Sequence, residues 1–192
     1  ALWQAVAGDD RIWTYLGTGP YAEKEAFAAW LGEVAARPDP HAYAVCDLAN
    51  GTADGIVTLM EIRPAMRTIE MGSIVYSGRL QRTPKATEAQ YLLARHVFET
   101  LGYRRYEWKC NALNAASRRA ALRLGFTFEG IFRQHMIVKG RNRDTAWFSM
   151  LDTEWPARKA AMERWLDPAN FDADGRQREP LSALVANRPD AS

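Results

Sequence analysis

A chain of 192 residues with 47% hydrophobic and 25% charged side chains is long enough to bury one sizeable core and has the balance of an ordinary globular domain. Its formal net charge of +2 lies too near neutrality to call for a nucleic-acid or membrane-surface partner. No apolar run approaches the roughly 18 residues of a membrane span, no signal peptide is visible, and three histidines (His41, His96, His135) without metal-ligand spacing predict no metal site.

In chain order, "ALWQAVAGD" predicts a short helix stopped by Gly8, entered so directly from Ala1 that a strand is expected to precede it in the native chain. "YAEKEAFAAWLGEVAARPDP" predicts an amphipathic helix, with Phe27, Trp30, Leu31 and Val34 at helical spacing and an end before Pro38. "HAYAVCDLANGTADGIVTLMEIRP" reads as two strands joined at Asn50-Gly51, a hairpin pair. "MRTIEMGSIVYS" is a third strand. "SGRLQRTPKATEAQYLLARHVFE" then turns into a helix over about 87–100, with Leu93, Val97 and Leu101 every four residues and Leu92 beside them. "YRRYEWKCN" is a strand, and "NAASRRAALRLGF" a helix closed by Gly125, which suits a left-handed C′ residue. "FEGIFRQHMIVKGRNRDTAWFSMLD" is a hairpin turning at "KGRN", and "WPARKAAMERWL" a last helix with Pro156 in its first turn. The polar tail after Asp167 either drapes over the domain or stays disordered.

This order predicts an α/β fold with a mixed sheet. The strands 69–76 and 106–111, joined by a helix, should run parallel. One domain is expected over 1–155, with a C-terminal helix and extended tail over 156–192. Cys46 and Cys110 each sit in an apolar run and form no CxxC pair, which predicts buried free thiols in a reducing, cytoplasmic compartment. Trp13, Trp30, Trp108 and Trp147 fall inside apolar patterns and read as core rather than as a binding platform.

The turn before the helix at 87–100 carries Arg82 and Lys85, with Thr87 or a neighbour able to cap. A helix N-terminus offers unpaired N–H groups and the positive end of the helix dipole, so this turn suits phosphate oxygens. The same residues also fit an ordinary strand-to-helix turn with solvated bases.

The run "YRRYEWKCNALNAASRRAALRLGFTFEGIFRQHMIVKGRNRDTAWFSML" resembles the GNAT superfamily of acetyl-CoA-dependent N-acetyltransferases, in its RimJ/RimL-like branch. The resemblance spans about 13–155. It is carried by Asn114-x-x-Ser117, Leu124-Gly125-Phe126, Glu129-Gly130 and the closing hairpin. It implies a mostly antiparallel sheet of six to seven strands whose two central parallel strands splay, flanked by helices. A pantetheine arm would lie between them and pair with the edge of strand 69–76, at Val75. The family's pyrophosphate loop falls on Gln81, Arg82, Thr83, Pro84, Lys85 and Ala86. Gln81 and Ala86 match, but Pro84 stands where the first glycine belongs. Proline has no N–H, so one donor is lost, while its fixed φ suits the first helical turn. The amides of Arg82, Thr83, Lys85, Ala86 and Thr87 then remain.

For catalysis the resemblance implies acetyl transfer from acetyl-CoA to a primary amine by direct attack in a ternary complex. Many relatives place an acidic tyrosine at the position of Ala121, so here the role passes to Ser117, one turn earlier on the same face. Ser117 also fits a plain first-turn backbone contact. Asn114 is an N-cap by type and position and, with Asn111, a candidate for the pantetheine arm. Glu70 is the candidate base, with Glu61 and His135 as alternatives. The branch's usual glutamate falls on Met136, and His135, its neighbour, should face the other side of the strand. Arg118 and Arg119 are further candidates for phosphates. The acceptor is open: a peptide N-terminus, a lysine, a small amine or an aminoacylated antibiotic. A homodimer is allowed, and a nucleic-acid partner is disfavoured by charge. The competing class is a non-catalytic acyl-CoA-binding or regulatory protein on the same fold, favoured by Pro84 and Ala121.

Overall fold

The computed structural model describes residues 1–186. Its order is α1 (Leu2–Val6), a 3-10 turn (Asp10–Trp13), α2 (Lys24–Ala35), β1 (His41–Asp47), β2 (Thr52–Arg63), β3 (Thr68–Tyr76), α3 (Pro84–Arg95), β4 (Arg105–Asn111), α4 (Ala115–Arg123), β5 (Thr127–Val138), β6 (Arg141–Leu151), α5 (Trp155–Leu166) and α6 (Leu181–Ala186). The sheet has six strands in the order β1-β2-β3-β4-β6-β5. All pairs are antiparallel except β3 with β4, as a helical connection requires.

Strand alternation sends side chains to two faces. Ile69, Met71, Tyr106, Trp108 and Cys110 join a core with Leu93, Ala94, Ala121, Trp155 and Met162 from α3, α4 and α5. On the other face Ile56 and Val75 pack with Val6, Trp13 and Phe27. The C-terminal segment belongs to the first of these cores. Leu181 and Leu184 of α6 lie in it, and Phe171 bridges Gln177 just before them. The tail therefore drapes over the domain as far as residue 186.

Two bulges set the geometry. In β3 the register runs from Ile56↔Val75 to Thr58↔Gly72, and Ser73 has φ 47°. Three steps on β3 thus match two on β2, which turns every later side chain to the opposite face. In β5 it runs from Phe132↔Thr145 to Met136↔Arg143, with Gln134 at φ 50°. The Gln134 amide donates to Asp144 Oδ1 at 2.7 Å and holds the bulge out.

Several local readings change. The third helix starts at Pro84, not near residue 87, because Thr83 is the cap: its Oγ1 accepts from the Ala86 amide at 3.2 Å, and Pro84 takes the first helical position. It continues as a π turn over His96–Thr100. Leu93 and Val97 are buried but Leu92 and Leu101 are exposed. Cys110 is buried as expected, whereas Cys46 is exposed, since β1 is an edge strand bulged between Val45 and Cys46. Trp30 and Trp147 are half-buried, and Trp147 lines a cleft rather than filling the core.

Gly125 ends α4 at φ 91°, and a Cβ there would meet Arg158 Cδ at 2.6 Å. Gly125→Ala is expected to destabilise the fold by about 2 kcal/mol, the order of cost for a non-glycine residue held in a strained backbone region. Urea unfolding monitored by tryptophan fluorescence checks this.

Candidate active site

The β3–β4 ladder holds only from Thr68↔Arg105 to Met71↔Trp108. Beyond it β3 stays paired to β2 and β4 to β6, but not to each other. The strands part there, and a cleft of ≈ 1790 Å³ passes through the gap. It has two arms. The helical arm is lined by Tyr76, the 81–84 turn, Ala86, Thr87, Gln90, Asn111, Asn114, Ser117 and Arg123. The sheet-face arm is lined by Tyr15, Glu61, Glu70, Lys109, His135, Arg143 and Trp147, among others.

At the mouth of the helical arm, the Gln81 side chain donates to the Tyr76 carbonyl at 2.8 Å, and Arg82 takes a left-handed φ of 62°. The Thr83 amide is spent on the Leu80 carbonyl and the Ala86 amide on the Thr83 hydroxyl. The Arg82 and Lys85 amides remain for an anion. Deeper in, Gln90 is 5% exposed, and its Nε2 donates to the Tyr76 hydroxyl at 2.6 Å while its Oε1 has no partner. Burial pushes the Tyr76 hydroxyl up to about 12, so it stays protonated. This is a polar pocket with open valences, which a phosphopantetheine chain can fill.

The transfer point lies where the strands part. Asn114 caps α4, its Oδ1 accepting from the Ser117 amide at 3.1 Å, and Asn111 Oδ1 accepts from the Leu113 amide at 2.9 Å. The Trp108 indole donates to Ser117 Oγ at 2.9 Å. Burial raises the Cys110 thiol, while a bond from the Ser117 side chain works the other way and favours the thiolate. Ala121 is fully buried in the core beneath α4 and does not line the cleft.

Across the gap Glu70 is 6% exposed. Lys109 Nζ lies 2.6 Å from Glu70 and 3.7 Å from Glu107, and 4.0 Å over the Trp147 ring. Desolvation raises the Glu70 pKa, against the pull of Lys109, with Glu107 and Glu61 adding to the rise.

The family model for the acetyltransferase (GNAT) domain matches residues 1–127. The chain belongs to the GNAT acetyltransferases. A GCN5-related N-acetyltransferase from Brucella melitensis is 50% identical, with a TM-score of 0.94, over 96% of this chain and 85% of that one. A probable acetyltransferase of the GNAT family from Chromobacterium violaceum is 47% identical, with a TM-score of 0.78, over 81% and 78%. A variant of the spermidine N-acetyltransferase of Vibrio cholerae, 19% identical over 76% of this chain and 85% of that one, shares the fold with a TM-score of 0.59. No curated protein matches the chain. As a GNAT acetyltransferase, the protein is an acyltransferase that takes its acetyl group from acetyl-CoA.

Within this GNAT enzyme most of the residues expected at the site line the cleft, and the side chains of Val75, Lys85 and Arg118 do not. The Val75 side chain is buried among α1 and α2 residues, because the Ser73 bulge turns it to that face, so pairing of a pantetheine arm there is left to its backbone. Gly72, Ser73, Ile74 and Tyr76 line the cleft on this strand instead. The Lys85 side chain is tied to Asp47 and does not line the cleft. Arg118 lies over the Phe128 ring, while Arg119 lines the cleft. Arg123, not singled out from the sequence, lines the cleft and donates to Thr87 Oγ1 at 3.1 Å. His135 also lines the cleft, beside Met136, because the Gln134 bulge breaks the strand alternation that would separate them. Among the described residues no cluster of side chains could hold a metal, and no helix is long and apolar enough to cross a membrane.

Charge reversal at Arg82 or Arg123 is expected to weaken acetyl-CoA binding about tenfold or more, the scale of a lost charged hydrogen bond. Lys85→Glu should do far less. Titration calorimetry at two salt concentrations checks both statements, and the Arg82 effect should narrow as salt rises.

Proposed function

We propose that this enzyme acetylates a primary amine by direct attack in a ternary complex, with Ser117 serving the leaving thiolate and Glu70 the attacking amine. The observation that carries the reading is the Trp108–Ser117 bond at 2.9 Å. The indole N–H can only donate, so it occupies a lone pair of Ser117 Oγ and leaves the hydroxyl proton free. That proton can be donated to the sulfur leaving from acetyl-CoA. A serine hydroxyl is a weak acid, so its part is a hydrogen bond to the developing anion rather than full proton transfer.

The cofactor-side residues carried into this reading are Gln81, Arg82, Thr83, Ala86, Thr87, Asn111, Asn114 and Ser117, joined by Gln90 and Arg123. The acceptor enters from the sheet face. Glu70 lines that arm with a raised pKa, which brings a carboxylate closer to the pH at which a base works best. Ser117 together with the missing aromatic acid at Ala121 supports placement in the RimJ/RimL-like branch. Two free cysteines support a reducing, cytoplasmic setting. A homodimer is compatible with this reading.

Ser117→Ala is expected to lower kcat about 10- to 1,000-fold with acetyl-CoA affinity retained. Stopped thiol-release assays and calorimetry test it. Unchanged turnover with a loss of about 1 kcal/mol in stability would make the serine structural.

Glu70 must be ionised to accept a proton. Activity should therefore fall as pH drops through its raised pKa, and Glu70→Gln should remove that limb of the kcat/KM profile. The competing base is His135, favoured by the bulge that brings it to the cleft, with Nδ1 3.0 Å from Thr145 Oγ1. A limb that survives in Glu70→Gln and vanishes in His135→Gln would assign the base to His135.

A further inference from the structure

We infer that the acceptor amine carries a carboxylate a few bonds from its amino group, as an amino acid does, and that Arg143 seats this carboxylate. The inference rests on the acetyltransferase reading above and names the substrate class of its sheet-face arm.

The charges of that arm are already matched, with one exception. Glu70 is held by Lys109 at 2.6 Å and Glu61 by Arg63 at 2.6 Å. Arg11 is held by Asp9 at 2.8 Å. Arg143 lines the same arm, is half-buried, and its side chain makes no hydrogen bond or ion pair among the described residues. Its Nε is shielded from solvent without a partner, and so is Nε1 of Trp147 on the same strand. Buried donors left open are costly, and two of them on β6 define a place for an acceptor of hydrogen bonds. A polycation would find the reverse, since both carboxylates lining the arm are neutralised.

A carboxylate is the anion that best fits a single guanidinium, because the planar fork of N–H groups matches its two oxygens. The span is short as well. Arg143 stands two residues along β6 from Thr145, which pairs with Asn111 where β3 and β4 part, a distance of about 7 Å along the strand. The group on Arg143 and the nucleophilic nitrogen must therefore belong to one small unit. No covalent step is added by this inference: the neutral amine attacks the thioester carbonyl, the C–N bond forms as nitrogen gives a proton to Glu70, the C–S bond breaks to release the CoA thiolate beside Ser117, and the carboxylate is only held.

The test measures thiol release from acetyl-CoA with matched pairs, each amino acid against its own amide, and with spermidine. The wild type should favour acids over amides by about 10- to 100-fold in kcat/KM, the scale of a charged hydrogen bond. Arg143→Met should collapse that ratio through KM rather than kcat. Preference for amides or spermidine, or an equal loss of kcat with acid and amide in Arg143→Met, overturns the inference and places Arg143 at the thioester instead. A second readout does not need turnover: with CoA present, an acid should raise the melting temperature above its amide in the wild type and not in Arg143→Met. Equal or absent shifts overturn the inference. Turnover blind to the carboxylate removes this inference alone, whereas failure of acetyl-CoA to bind or to lose its acetyl group removes the acetyltransferase reading with it.

Discussion

Everything at the site follows from one interrupted ladder. Parallel pairing of β3 with β4 stops at Met71↔Trp108, and each strand is then held by its other neighbour. Backbone groups that would have bonded across the sheet are left facing a gap, and unpaired backbone groups need partners. An extended chain with amide groups, such as pantetheine, supplies them. The Ser73 bulge belongs to the same event. It consumes the extra residue that lets β3 leave β4 while keeping its register with β2, and it re-aims Val75 into the second core and Tyr76 toward Gln90.

The gap also sorts the chemistry by face. On the helical side, α3 and α4 both point N-termini at the cleft, each fixed by a side-chain cap, Thr83 and Asn114. Their dipoles favour negative charge, which suits a phosphorylated cosubstrate and a departing thiolate. On the opposite face, Arg105, Glu107 and Lys109 alternate along β4 and link to Glu70 and Glu129. Such a buried charged row is costly unless well paired. Its worth here is placement, since it fixes Glu70 and Lys109 beside the point where the two faces communicate.

The sequence made the elements legible wherever local chemistry decides: the Asn114 cap, Gly125 at the end of α4, the turn at Lys139-Gly140 and the parallel sense of β3 and β4. It also marked the segment around Ser117 through its resemblance to known acetyltransferases. What it hid were the effects of register and distance. Neither Ser73 nor Gln134 is a glycine, so nothing announces a left-handed residue, yet the Ser73 bulge reverses which face its successors meet and the Gln134 bulge sets two extra β5 residues against β6. That is why the Val75 side chain lies in the second core and why His135 and Met136 both line the cleft. Lys85 is bound by Asp47, a partner 38 residues away, and Arg123 reaches Thr87 across 36. Pairings of that kind are absent from any local pattern. Cys46 was misjudged because burial of an alternating strand depends on whether the strand lies at the edge.

The central claim is that the parted stretch of β3 and β4 holds acetyl-CoA. Amide hydrogen exchange measured with and without acetyl-CoA tests it most directly, because it reports on the very N–H groups that the gap leaves open. The account predicts added protection over residues 72–76 and at the 82–85 turn, with β1 and β5 unchanged. Protection confined to other strands, or no change at saturating acetyl-CoA, would contradict it.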